Sequence, residues 1–166
     1  MSCCDARRLI EFSAQGNVLR EINICGVVAF HHAVKLACGQ IVASVGCGRP
    51  ESPVQRVCYL DIDDKNGRGC LASMPGFTLV GPGHLAALVG SEMDEAVLVG
   101  DLSGARVVVL TSALTSLRVV ACRTSGLHRV WRLCVDCANQ RLYVADNIAD
   151  VGDGSLQSGR VVFLSL

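Results

Sequence analysis

Four histidines, His31, His32, His84 and His128, lead into short apolar runs: "HHAVKLACG" (31–39), "GHLAALVG" (83–90) and "LHRVWRLCVD" (127–136). Imidazole is the commonest protein ligand of divalent metals, and its recurrence at like points raises an ion held by His32, His84 and His128. No carboxylate stands in register beside the histidines in every run. A turn residue repeated with its surroundings accounts for them without an ion. Cys134-Val135-Asp136-Cys137 has C-x-x-C spacing, but Cys134 lies inside an apolar alternating run. No second pair follows at zinc-site spacing, so no metal or redox role is expected of it.

Trp131 stands between Arg129 and Arg132. An indole flanked by guanidinium groups is what a binding surface for a protein, or a stacking platform for single-stranded RNA, would use. Asp101 and Asp146 end the runs "EAVLVGD" and "QRLYVAD", and Arg106 and Arg160 open the runs that follow. An Asp there accepts bonds from backbone N–H groups of the turn, with the next Arg as its ion-pair partner, so these four residues are read as structural. No nucleophile elbow, phosphate loop or paired carboxylate appears, and Asp150–Gly154 is too short for a calcium loop. Enzyme activity is not expected, and no cofactor is called for unless the histidines hold a divalent ion.

The 166 residues carry 15 basic and 15 acidic side chains, for a formal charge of zero. That leaves no electrostatic footprint for nucleic acid or an anionic surface, which favours a protein partner over RNA. Aromatic residues make up only 4% of the chain, so a core must come from Val, Leu, Ala and Cys. The ten cysteines sit largely in apolar runs, where a thiol acts as a small hydrophobe. The opening "MSCCDARRLIEFSAQG" has charges where a secretory signal has an apolar stretch. Reduced thiols and a cytoplasmic setting are therefore expected. No apolar run reaches transmembrane length, so no membrane partner is expected.

The elements that must position these residues repeat. "RRLIEFS" (7–13), "QRVCYLDID" (55–63), "ARVVVLTS" (105–112) and "GRVVFLSL" (159–166) each begin with a basic residue. They recur at steps of about 50 residues, a spacing typical of repeat architectures. "GQIVASV" (39–45), "EAVLVGD" (95–101) and "QRLYVAD" (140–146) precede the last three. The runs are short, rich in Val and Leu and bounded by Gly, Asn, Asp or Ser, which predicts strands. With "NVLREINIC" (17–25), "GCLASMPGFTLV" (69–80) and "SLRVVACR" (116–123), each unit has four strands. Four strands per repeat of this length predict an all-β, propeller-like array of four-stranded antiparallel blades.

The third copy resembles an NHL repeat through Val135-Asp136, Tyr143-Val144-Ala145-Asp146 and Arg160-Val161-Val162-Phe163. The second keeps Val99-Gly100-Asp101 and Arg106–Leu110, and the first puts Ala43-Ser44-Val45 where that family has "VAD". The resemblance implies a non-catalytic interaction module that binds its partner through loops on one rim. The alternative is a metal-dependent propeller hydrolase or lyase, of the lactonase or amidating-lyase type, with histidines near the axis. The strands count as blade parts 7–25, 31–80, 83–123 and 128–166 of one domain spanning 1–166. That makes three to three and a half blades, like the C-terminal half of an incomplete ring. Exposed blade faces would then call for self-association or a second half-propeller.

Overall fold

The Val- and Leu-rich runs fold as strands in the computed structural model of the chain. It describes residues 8–49, 52–63, 68–71, 79–88, 95–111, 113–114, 117–148 and 158–165. The protein is all-β. The described helical structure is one 3₁₀ turn, Arg123–Ser125. No helix among the described residues is long and apolar enough to cross a membrane. Residues 72–78 of the expected strand 69–80 and the Asp150–Gly154 loop lie outside the described residues. The chain divides into two compact units, Met1–Met74 and Pro75–Leu166.

The first unit contains β1 (Arg8–Phe12), β2 (Val18–Ile24), β3 (Val27–Lys35), β4 (Ile41–Arg49), β5 (Ser52–Asp63) and β6 (Arg68–Leu71). β3 to β6 form an antiparallel meander. The sequence pattern gives residues 7–25 to a separate blade, but here they join the same sheet. The β1–β2 hairpin pairs with β6 in parallel through Asn23 with Arg68 and Ile24 with Gly69. The reason is burial. One face of a meander cannot hide itself, and the hairpin lays Leu9, Ile22 and Ile24 against Ile41, Ala43, Val45, Cys58 and Leu60. β2 passes into β3 through Cys25 and Gly26, whose φ of 79° suits a residue without a side chain. The outer strands β1 and β3 approach where Lys35 Nζ lies 3.5 Å from Glu11 Oε1. The sheet is thus a nearly closed, barrel-like one. A hydrogen bond from Arg20 holds the Glu11 carboxyl below its ordinary pKa.

In the second unit, β7 (Pro82–Leu88), β8 (Ala96–Asp101), β9 (Arg106–Thr111) and β10 (Leu117–Ala121) form a four-stranded antiparallel meander. β11 (Val130–Asp136), β12 (Arg141–Ile148) and β13 (Ser158–Ser165) form a three-stranded one. The two sheets stack. Leu98, Val107 and Ala121 of the first meet Val130, Leu133, Leu142 and Val144 of the second, with Leu127 between. Each buried Leu or Val among them stabilises by about 1.5–3 kcal/mol. All six residues of β8 are buried, so that strand is covered on both faces.

The three meanders share one register. Arg56 lies opposite Val45, Arg106 opposite Asp101 and Arg160 opposite Asp146. On the preceding strand the same positions face Phe30, Pro82 and Val130. An irregularity follows at once in all three, between Phe30 and His32, Pro82 and Leu85, and Val130 and Arg132. One extra residue there bends the strand and re-aims its side chains. The repeat read in the sequence is therefore a repeat of pairing geometry as well.

Candidate functional site

The bulge row fixes where the chemistry-bearing residues fall. Counting from Phe30, Pro82 and Val130, the next position holds His31, Gly83 and Trp131. The one after holds His32, His84 and Arg132. His32 and His84 are thus equivalents, and the third copy puts a guanidinium in their place. His128 precedes β11 and belongs to a different position. The His84 Nδ1 lone pair is already engaged, accepting a bond from the Leu133 N–H at 3.3 Å. His128 Nδ1 lies 3.3 Å from Arg160 Nη2 and 3.5 Å from Asp146 Oδ2. His32 sits in the first unit, opposite Ser44. Among the described residues no three His, Cys, Asp or Glu side chains are grouped to hold a metal ion. Burial lowers the pKa of the neighbouring His31 and favours its neutral form.

Asp101 and Asp146 are buried carboxylates held by fans of donors. Asp101 accepts from the backbone N–H of Gly81 at 2.8 Å, Val80 at 3.3 Å and Gly104 at 3.2 Å, and from Arg106 Nε at 2.8 Å. Asp146 accepts from the backbone N–H of His128 at 2.9 Å and Arg129 at 2.7 Å. Arg160 donates to its other oxygen through Nη2 at 3.0 Å and Nε at 3.2 Å. Arg160 Nη2 also donates to the Gly126 carbonyl. Most of these donors lie just before β7 and β11, so each Asp ties the lead-in of its sheet's first strand to the end of the second. Burial alone would raise the Asp146 pKa. The two backbone amides and then Arg160 overcome it and hold the carboxyl below its ordinary value. A carboxylate so fully engaged is poorly placed to act as a general base. In the first unit Val45 stands at the Asp position, among the core residues.

Arg129, Trp131 and Arg132 are all exposed. Trp131 is the bulge residue of β11, with 55% of its surface open. It borders an open, mainly apolar groove of about 400 Å³, lined also by Ala145, Asp146, Asn147, Gly159, Arg160 and Val161. The groove continues into a face absent from the sequence-level site. Cross-strand pairing puts Arg132, Ala145 and Val161 in one row, Cys134, Tyr143 and Phe163 in the next, then Asp136, Arg141 and Ser165. Val161 and Phe163 are each 68% exposed. Their equivalents in the preceding sheet are Val107, fully buried, and Val109, packed into the core between the sheets. No sequence signal separates the two cases, because the residue types are alike and only stacking differs.

The thiols of Cys134 and Cys137 are free and exposed, and they do not form a disulfide. Comparison of the chain with protein-family models, with curated proteins and with solved structures returns no match.

Proposed function

We propose that the protein is a non-catalytic interaction module built as a propeller-like array, related to NHL repeats. It binds a protein partner through the C-terminal sheet, with Trp131, Arg129 and Arg132 at the contact. The observation that carries this reading is the outer face of β11–β13. It exposes Trp131, Val161 and Phe163 at positions whose counterparts in the preceding sheet are packed into a core. An apolar patch with Arg132 at one end and Asp136 and Arg141 at the other suits an apolar partner surface that carries charges of both signs. The shared register of the three meanders supports the propeller-like reading, and the free thiols suit a cytoplasmic setting.

A photo-reactive amino acid at Val161 tests the reading in cells. Discrete protein adducts that disappear with Phe163→Glu are the expected result. Adducts to RNA alone, no adducts, or a stoichiometric tightly bound metal in the purified chain would overturn it.

A further inference from the structure

We infer that the outer face of the C-terminal sheet docks against the same face of a second copy, in a closed two-fold dimer. The inference rests on the interaction reading above and names its partner. The two sheets of the second unit stack by unlike faces. The face of β8 and β9 bearing Leu98 and Val107 packs on the face of β11 and β12 bearing Leu133, Leu142 and Val144. Continuing that scheme onto the outer face would need a free face of the second kind. Its counterpart in the first meander, the Ile41, Ala43, Val45, Cys58 and Leu60 face, is already covered by Leu9, Ile22 and Ile24 of the N-terminal hairpin. In the sheet of β7 to β10 every residue of β8 is buried. Among the described strands no such face is open, so head-to-tail stacking into a filament has no acceptor. The outer face is left to meet itself, and an isologous contact closes at two copies.

Charge picks the orientation. The apolar row Cys134, Tyr143, Phe163 lies between a row carrying Arg132 and a row carrying Asp136 on the same strand, with Arg141 beside Asp136 on the next. A two-fold axis along the central row sets the strands of the two copies antiparallel. It lays Arg132 of each copy over Asp136 of the other, at the roughly 10 Å spacing of packed sheets. The alternative axis, along the strands, would lay Arg132 over the Val161 side of the sheet, where no carboxylate meets it, while Asp136 keeps only its own neighbour Arg141. Cys134 of one copy then faces Cys134 of the other, too far for a disulfide between unmoved backbones but within reach of a short linker. The patch is three strands wide, at the low end of the about 1,200 Å² that specific interfaces bury in total, so the dimer should be concentration-dependent.

Sedimentation velocity of the full chain over a wide concentration range tests this. A monomer–dimer equilibrium is expected. Phe163→Glu should leave a monomer whose circular dichroism is unchanged. Arg132→Asp should weaken the dimer at least ~10-fold, and adding Asp136→Arg should recover most of that loss, since complementary charge fixes pairing. Asp136 also holds its turn through Asn139, so cross-linking supplies an independent readout. Bismaleimidoethane should trap a dimer that is lost in Cys134→Ser. A monomer at every concentration, an assembly larger than two, or a dimer untouched by Phe163→Glu would overturn the proposal. If the chain stays monomeric while Val161 still captures another protein in cells, the interaction reading stands and only the partner is wrong.

Discussion

At the scale of single residues the buried aspartates decide the most. Asp146 is 1% exposed and surrounded by donors from three residues. Removing it leaves buried N–H groups and a guanidinium without their anion. Asp146→Ala should cost about 1–3 kcal/mol, the usual penalty for buried donors left unsatisfied, since the partly exposed Arg160 can turn to water. The urea midpoint measures it. Because the folded pKa lies below that of a free Asp carboxyl, this contribution is fully present above the unfolded pKa and is lost as pH falls through the folded one. Asp146→Asn should therefore lose less stability than the parent protein when the pH is lowered from 5 to 2. An equal loss in both would show that the carboxylate does not carry the linkage. The Asp–Arg pairing was legible in the sequence, since both residues recur at matching points of two copies. The backbone donors before β7 and β11 were not, because they come from residues about 20 positions upstream of each Asp.

At the scale of elements, stacking of the second unit depends on close approach at one glycine. A Cβ built on Gly100 would lie 2.7 Å from Val130 Cγ1 of the neighbouring sheet. Gly100→Ala should destabilise by about 1–3 kcal/mol, as overpacking does. Val130→Ala in the same chain should recover part of that loss, giving a coupling energy outside simple additivity. Strictly additive urea midpoints would place the two residues apart. Strand positions followed from composition: β7, β8, β9 and β12 fall within or almost within the runs read as strands. The fate of the N-terminal hairpin did not. Its parallel pairing with β6 rests on two residue pairs across some 45 positions, and no local pattern encodes so distant a contact.

At the scale of the whole molecule the cysteines report the fold. Cys58 is buried in the first unit's core, whereas Cys25, Cys38, Cys134 and Cys137 are exposed. Under native conditions a thiol reagent should label those four rapidly and Cys58 only after denaturant is added, because labelling follows access. Peptide mapping of the labelled sites checks this. Fast labelling of Cys58 would mean that the core formed by Ile22, Ile24, Phe30 and Leu60 opens readily. Dimer formation should also slow the labelling of Cys134 as concentration rises, while Cys137, in the turn beyond β11, keeps its rate.

Residue order alone showed roughly where most strands run, that they recur, and which Asp and Arg face each other across two hairpins. Those are properties of period, turn chemistry and residue type, all readable along the chain. Which face of each strand is covered emerged from the packing of sheets. Alternation marks two faces but does not say what lies beyond them, so Val107 and Val161 read alike although one is buried and the other is open. The same limit applied to the histidines. Their recurrence was visible, but an extra residue in each first strand aligned His32 and His84 with Arg132 and left His128 outside the row. A one-residue displacement moves a side chain across a strand, and hydrogen-bond pairing between strands sets it, not the order of residues along any one of them.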